Sequence, residues 1–144
     1  MRRTVLIGVD GATFDLIRPW VVNGDLPNFS AIANDGVEGV LESVVPTQSV
    51  PAWPSFNSGK NPGKHGLFAF NEDVKKEGEL VDSFSLPSDR FWNILAAEGI
   101  TPGVVGSLMS YPLRDLERGF EVTGPMTPGD AEVFTAPTDI AAEI

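Results

Sequence analysis

The sequence predicts an α/β fold with a largely parallel sheet, and three observations lead to this class. The apolar run TVLIGV, Thr4–Val9, is nearly continuous, as in strands that are covered on both faces. Segments with helix-capping residues at their starts and Gly at their ends alternate with such runs. The chain has 144 residues, of which 42% are hydrophobic, and this suits a globular domain. We therefore expect residues 1–144 to form a single domain in which strands and helices alternate.

The first third of the chain contains the predicted order strand, helix, helix, strand. Thr4–Val9 is the first buried strand, and Thr13 is placed to cap a helix over FDLIRPWVV. The segment LPNFSAIANDG predicts a second helix, because Pro27 suits a first helical turn and Gly36 suits a helix end. Gly39–Val45, GVLESVV, is the second predicted strand.

The remaining elements follow a Pro- and Gly-rich stretch. GLFAFNE and ELVDSFSL alternate well enough to predict a pair of strands. SDRFWNILAAEG predicts a helix with Ser88 as its N-cap, an apolar stripe of Phe91, Ile94 and Leu95, and Gly99 as its stop. TPGVVGSL and GFEVTG predict two further strands, and TAPTDIAAEI predicts the beginning of a last helix.

The composition of the chain argues against several classes of protein. The net charge is −10 with a pI near 4.4, which disfavours a nucleic-acid polymer as partner. No apolar run approaches the roughly 20 residues of a membrane helix, and Asp10 ends the first run too early for a signal peptide, so we expect a cytoplasmic protein. The chain has no Cys, so disulfides and thiolate metal sites are excluded. An anionic substrate requires a bound cation or a basic patch to offset the acidic field.

The stretch Pro46–Gly66, PTQSVPAWPSFNSGKNPGKHG, raises the question of a phosphate site. It is not a P-loop, because three residues rather than four separate Gly59 from the pair Gly63–Lys64. Its first half predicts a helix that accepts Pro51 and Pro54 in its first turn and ends at Gly59. The stretch is therefore predicted to be a turn from a strand into a helix.

Three side chains in these segments are candidates for chemistry. Asp10 directly follows an apolar run, where a carboxylate can hold a hard cation, although an Asp-Gly pair is also an ordinary turn. Ser49 lies at a predicted helix N-terminus, which favours an anion, but it can equally be a simple helix cap. As a nucleophile, its hydroxyl requires activation by a base or a metal. His65 is the only His, so we expect a structural loop residue that is hydrogen-bonded to the backbone.

The blocks VLIGVDGATFDLI, LPNFSAIANDGV and VVPTQSVPAWPSFNSGKNPGKHGLFAF resemble, in this order, the start of alkaline phosphatase superfamily proteins. The resemblance is closest to the type I phosphodiesterase/nucleotide pyrophosphatase family, and it continues weakly to FEVTGPMTPG. It implies a three-layer α/β/α, alkaline phosphatase-like fold and a hydrolase that uses two divalent metal ions, by family habit zinc. It also implies a small-molecule phosphoester substrate. Diester, monoester, pyrophosphate and phosphonate substrates remain open.

The resemblance assigns roles to individual residues. Asp10 matches a metal ligand, and Ser49 matches the nucleophile, whose oxygen also binds a metal and forms a phospho-enzyme. The closest relatives usually have Thr at the position of Ser49. Asn71 lies one residue later than the Asn that contacts phosphate in nucleotide pyrophosphatases, so its match is weak. Sulfatases share the block but have Arg where Trp53 stands here.

The family's other metal ligands include an adjacent Asp-His pair and further His residues, and this chain has a single His and no Asp-His pair. We therefore expect residues 1–144 to be the N-terminal portion of a longer metal-dependent phosphohydrolase domain, incomplete at its C-terminus and with little activity alone. The alternative is a non-catalytic α/β binding or assembly domain. An exposed sheet edge would in that case allow a homo-oligomer to form.

Overall fold

The computed structural model describes residues 3–70 and 80–144. The chain divides into two compact units, Met1–Glu42 and Ser43–Ile144. In chain order the helices and strands are α1 (Phe14–Asn23), α2 (Pro27–Asp35), α3 (Ser49–Ser58), α4 (Pro62–His65), α5 (Phe91–Ala97), β1 (Gly103–Ser107), β2 (Phe120–Thr123) and β3 (Thr135–Ala136). Short 3-10 helices cover Ser83–Ser85 and Thr138–Glu143.

The first unit contains α1 and α2, and both helices confirm the sequence prediction. Thr13 caps α1, and its side-chain oxygen accepts a hydrogen bond from the N–H of Asp15 at 3.3 Å. Gly24 ends α1 in the left-handed conformation, which a residue without Cβ adopts at little cost. Pro27 is the first residue of α2. The start of α1 therefore coincides with a side-chain cap, whereas the start of α2 coincides with a proline and has no side-chain cap.

The two strands predicted for the N-terminal third are wrong. The structure assigns no strand to Thr4–Val9 or to Gly39–Val45. Both segments are exposed rather than buried, with Val5 at 80% and Leu41 at 89% exposure. A strand exists through hydrogen bonds to a neighbouring strand, and the sheet of the described residues contains only β1, β2 and β3. An apolar run alone does not provide such a partner.

The second unit contains a three-stranded mixed sheet in the order β1-β2-β3. β1 and β2 are parallel, whereas β2 and β3 are antiparallel. The register of β1 shifts between Val105 and Ser107, where Gly106 has a positive φ of 72°. The described residues therefore form a small α/β fold. Their sheet is mixed, with one parallel and one antiparallel pair, so the predicted largely parallel sheet is not confirmed.

β3 lies where the sequence predicted the start of a last helix, so this prediction is wrong for Thr135–Ala136. Ala136 precedes Pro137, and the proline ring disfavours the helical conformation of the residue before it. Ala136 is therefore extended and pairs with Glu121 of β2. The chain becomes helical, as a 3-10 helix, only after Pro137.

Helix α5 forms where the sequence predicted a helix, but it begins later and buries a different face. Its N-cap is Arg90 rather than Ser88. Its buried residues are Trp92 and Ala96, whereas Ile94 of the predicted apolar stripe is exposed. The buried charge of Arg90 belongs to this face and is paired with a carboxylate of the sheet. Apolar spacing alone could not reveal that pairing.

The predicted strand pair GLFAFNE and ELVDSFSL is only partly covered, because residues 71–79 lie outside the described part of the chain. The N–H of Val81 donates to the carbonyl of Phe70 at 2.8 Å, so the two described ends meet. The second segment then forms the 3-10 helix Ser83–Ser85, which Asp82 caps with its carboxylate. A capping box therefore replaces most of the predicted second strand.

The hydrophobic core lies in the second unit and fixes the start of α3. Val50 has no exposed surface, and it packs with core residues from four other segments. These are Leu67, Val81, Leu86, Leu108 and Met109.

Among the described residues, no helix has the length and apolar character needed to cross a membrane.

Candidate active site

Ser49 is the first residue of α3. The N-cap position belongs to Gln48, whose backbone is extended (φ −143°, ψ 159°), so the cap alternative for Ser49 does not describe this helix. Ser49 is half-buried, and the next residue, Val50, is fully buried in the core. The backbone that carries the Ser49 hydroxyl is therefore anchored by packing one residue away.

The turn before α3 and the end of α3 follow from local chemistry. The N–H of Gln48 donates to the carbonyl of Pro46 at 3.0 Å, and the carbonyl of Gln48 accepts from Ala52 at 3.1 Å. Gly59 ends the helix with a φ of 68°, as the sequence predicted. Pro54 lies beyond the first turn, contrary to the prediction, and it is accommodated inside the ten-residue helix.

The N-terminus of α3 carries the electrostatic properties of an anion site. The first N–H groups of a helix lack acceptors within the helix, and the peptide dipoles add a partial positive charge there. No acidic side chain occupies the first turn of α3 to offset this charge. The position of Ser49 therefore favours an anionic group such as a phosphoryl group, despite the net charge of −10.

His65 is buried, and it belongs to a chain of hydrogen bonds that joins Leu67, His65, Ser55 and Pro51. Its Nδ1 accepts from the N–H of Leu67 at 3.1 Å, so Nδ1 carries no proton. Its Nε2 lies 2.9 Å from the Oγ of Ser55. The Ser55 hydroxyl in turn donates to the carbonyl of Pro51 at 2.7 Å. The bond from Leu67 confirms the predicted hydrogen bond between His65 and the backbone, and a purely structural role stays a prediction.

The neutral form of His65 is favoured by its surroundings. Burial lowers the pKa of the imidazole below its usual value near 6.5, and the nearby carbonyl of Pro51 opposes part of this shift. In a neutral ring whose Nδ1 is unprotonated, the proton is on Nε2, and this N–H can donate to the Oγ of Ser55. Neutral pH therefore leaves the hydrogen-bond chain intact.

Asp10 and Asn71 are the other two residues that the sequence analysis assigned to the site. Asp10 lies in a turn with Gly11, which has a φ of 67°, and the residue is exposed. Asp10 belongs to the unit Met1–Glu42 and Ser49 to the unit Ser43–Ile144, so a shared site stays a prediction. Asn71 lies outside the described residues.

Within residues 3–70 and 80–144, no group of three or more His, Asp or Glu side chains is arranged to hold a metal ion. Asp10 and Ser49 supply oxygen atoms, which are suitable ligands for divalent cations. Two side chains are fewer than the three or four protein ligands of a zinc site. The described residues therefore do not form a complete metal site.

Two polar residues of α3, Ser55 and Asn57, were not singled out in the sequence analysis. Ser55 lies four residues after Pro51, the spacing at which a hydroxyl reaches the preceding carbonyl, so a local signal was present. Asn57 is buried, and its Nδ2 donates to the Oγ of Ser107 at 3.1 Å. No local pattern connects Asn57 with a residue of β1 that lies fifty positions later.

Comparison with known proteins identifies one family. The family model for type I phosphodiesterase / nucleotide pyrophosphatase matches residues 4–127, which include Asp10, Ser49 and His65. Neither the search of curated proteins nor the search of solved structures found a match. The matched range extends from the first unit through most of the second.

Proposed function

The chain belongs to the type I phosphodiesterase/nucleotide pyrophosphatase family, and from this premise we propose that it carries the nucleophile of a metal-dependent phosphoester hydrolase. The proposed nucleophile is Ser49, and the proposed substrate is a small molecule with a phosphoester or pyrophosphate bond. The observation that carries the proposal is the position of Ser49 at the first residue of α3, within the matched range.

The proposed reaction has two steps. The Oγ of Ser49 attacks phosphorus and releases its proton to solvent. The bond from phosphorus to the leaving oxygen breaks, and the leaving group departs as phosphate or takes up a proton from solvent and departs as an alcohol. Water then attacks the phosphoserine, which restores the Ser49 hydroxyl and releases the second product. The balance is one water consumed for each ester cleaved. The N-terminus of α3 would stabilise the negative charge near phosphorus in both steps.

Activation of the Ser49 hydroxyl is the part of the proposal that requires metal. Two divalent cations, zinc by family habit, would when bound supply Lewis-acid activation of the hydroxyl and neutralise phosphoryl charge. Asp10 and Ser49 are the oxygen ligands that we assign to this chain. The described residues hold no group of three candidate ligands, so further ligands are needed.

We accordingly propose that residues 1–144 are the N-terminal portion of a longer domain with a three-layer α/β/α arrangement and a largely parallel sheet. The ligand count supports this, since the sequence has one His and no Asp-His pair. By itself the chain is proposed to have little or no activity. Its predicted cytoplasmic location stays a prediction.

The second candidate function is a non-catalytic α/β domain for binding or assembly. One observation favours it: β1 is an edge strand of the described sheet, and its Val105 is 71% exposed. An exposed apolar edge promotes self-association. Light scattering of the purified chain would detect the homo-oligomer that this candidate predicts.

The test compares Ser49→Ala with Ser49→Thr and Thr47→Ala in the whole protein that contains this sequence, with a nitrophenyl phosphodiester as substrate. Thr47 is the matched control, because its hydroxyl is in the same turn and donates to the carbonyl of Val44 at 3.3 Å. We expect Ser49→Ala to abolish hydrolysis, whereas Ser49→Thr and Thr47→Ala retain most of it. Retained activity in Ser49→Ala would refute the assignment, and loss only in Thr47→Ala would transfer the role to Thr47.

A further inference from the structure

We propose that Ser55 and His65 are positioning residues for Ser49, acting through the backbone of the first turn of α3. The inference rests on the proposed function, because it concerns the placement of the proposed nucleophile. Neither side chain is assigned a contact with substrate or metal. We infer their role from the hydrogen bonds that they make near the prolines of α3.

The first half of α3 lacks one backbone hydrogen bond of a regular helix. Pro54 has no backbone N–H to donate to the carbonyl of Val50, whereas Pro51 lies in the first turn, where an N–H has no acceptor within the helix. A proline inside a helix also crowds the carbonyl four residues before it, which loosens or bends the helix there. We infer that the first turn, which carries Ser49, depends on hydrogen bonds from side chains in addition to the backbone hydrogen bonds of the helix.

The chain from His65 to Pro51 provides this support. The Ser55 hydroxyl donates to the carbonyl of Pro51 at 2.7 Å, two residues beyond Ser49. Because the only hydroxyl proton of Ser55 is used in this bond, the 2.9 Å contact with His65 requires an N–H on Nε2. The N–H of Leu67 fixes that tautomer by donating to Nδ1 at 3.1 Å. All three contacts are therefore satisfied in one protonation state.

The loop that carries His65 is itself well fixed. Asn61 caps α4 and accepts from the N–H of Lys64 at 3.1 Å. Gly66 ends α4 with a φ of 79°, and Leu67 then enters the core. The imidazole is thus held between a capped turn and the core, and it can hold Ser55 in one rotamer. Because the imidazole is fixed in this way, its contact with Ser55 can restrain the Ser55 side chain and, through it, the carbonyl of Pro51.

Ser58 offers a matched control within the same helix. Its hydroxyl donates to the carbonyl of Pro54 at 2.6 Å, which is the same bond to the fourth preceding residue that Ser55 makes. Ser58 has no contact with His65 among the described hydrogen bonds, and it lies in the last turn of α3. The Ser58 hydroxyl also accepts from the N–H of Lys60 at 3.3 Å, so Ser58→Ala removes a hydroxyl with two hydrogen bonds, but at the end of α3 that is far from Ser49.

The experiment measures kcat and KM for a nitrophenyl phosphodiester in the whole protein, with Ser55→Ala, Ser55→Thr and Ser58→Ala. A misplacement of about 1 Å near the reacting atoms can reduce the rate about 100-fold. We expect Ser55→Ala to reduce kcat by roughly 10- to 100-fold with little change in KM. We expect Ser55→Thr, which retains the hydroxyl, to recover most of kcat, and Ser58→Ala to keep it within about 2-fold of the unmodified protein.

Two outcomes would overturn the inference. One is an unchanged kcat in Ser55→Ala, and the other is an equal loss in Ser55→Ala and Ser58→Ala, which would indicate a general effect on the helix. Thermal unfolding of each variant checks that the protein is folded. If Ser55→Ala does not fold, the protonation of the His65 ring in the unmodified protein, measured as described next, still tests the inference. Retained activity in Ser49→Ala would instead refute the proposed function, so the two failures are distinguishable.

A spectroscopic measurement tests the hydrogen-bond chain without any activity. Residues 1–144 contain one His, His65. In the whole protein, the ring ¹⁵N signals of His65 are identified as those that disappear in His65→Asn. We expect a neutral ring with its proton on Nε2, and a change of the Nε2 signal in Ser55→Ala but not in Ser58→Ala. A ring with its proton on Nδ1 would overturn the inference even if Ser49 proves to be the nucleophile.

Discussion

The buried ion pair between α5 and the sheet allows the sharpest stability prediction. Arg90 Nη1 donates to Glu121 Oε1 at 2.9 Å, and Nη2 donates to Oε2 at 3.3 Å. The two side chains are 1% and 0% exposed. Arg90 Nε also donates to the amide oxygen of Asn93 at 2.9 Å, and the guanidinium lies 4.8 Å from the ring centre of Trp92. The pair is therefore desolvated and held by several contacts.

The perturbation is a double-mutant cycle with Glu121→Leu, Arg90→Met and the combined variant. Removing one partner leaves an uncompensated buried charge, which typically costs about 3–5 kcal/mol. Glu121→Leu should therefore lower the free energy of unfolding by about that amount and the melting temperature by roughly 10 °C. Replacing both partners with apolar side chains of similar volume is often close to neutral. The combined variant should thus recover most of the loss.

The assay is urea unfolding followed by circular dichroism, and a surface pair provides the control. Arg18 and Glu38 have the same chemistry at 3.1 Å, but their side chains are 60% and 48% exposed. Exposed pairs contribute about 0–1 kcal/mol, so Glu38→Gln should have little effect. A loss below about 1 kcal/mol in Glu121→Leu, or a combined loss equal to the sum of the two single losses, would refute the reasoning.

Two further predictions concern His65 and the glycines. Because burial lowers the pKa of His65, the unfolded chain binds a proton below about pH 6.5 while the folded chain does not, so the stability from the neutral ring is lost as pH falls below that value. Urea unfolding from pH 7.5 to pH 5 should therefore show a steeper decline for the unmodified protein than for His65→Asn, and equal declines would contradict the prediction. Gly119→Ala should destabilise the protein by more than about 1 kcal/mol, because the new Cβ would lie 2.0 Å from the carbonyl oxygen of Pro102 at a φ of +93°. Gly129→Ala, which meets no atom within 4 Å, is the control, and equal melting temperatures for both variants would contradict the steric argument.

The sequence predicted the elements that are defined by neighbouring residues. Thr13 caps α1, and Gly59 ends α3, because caps and left-handed ends involve contacts within a few positions. The start of α3 near Ser49 was predictable for the same reason. Local chemistry therefore gave the helix that carries the proposed nucleophile.

The errors concern features that depend on distant partners. Thr4–Val9 has a strand-like composition, but a strand also requires a neighbour, which local composition does not specify. The buried N-cap residue of α5, Arg90, pairs with Glu121, which lies 31 residues later in the chain. The contact between Ser55 and His65 spans ten residues and two helices, so spacing alone could not reveal it. Long-range pairing explains what sequence reasoning missed in both the fold and the site.

Trapping the covalent intermediate tests the central proposal most directly. The whole protein that contains this chain would be incubated with a phosphodiester and divalent metal, quenched in acid during turnover, digested and mapped by mass spectrometry. We predict a phosphoryl group on the peptide of α3, localised to Ser49, and the same group on the Thr of Ser49→Thr. Turnover with an unmodified Ser49, or with the phosphoryl group on Thr47, would contradict the proposal.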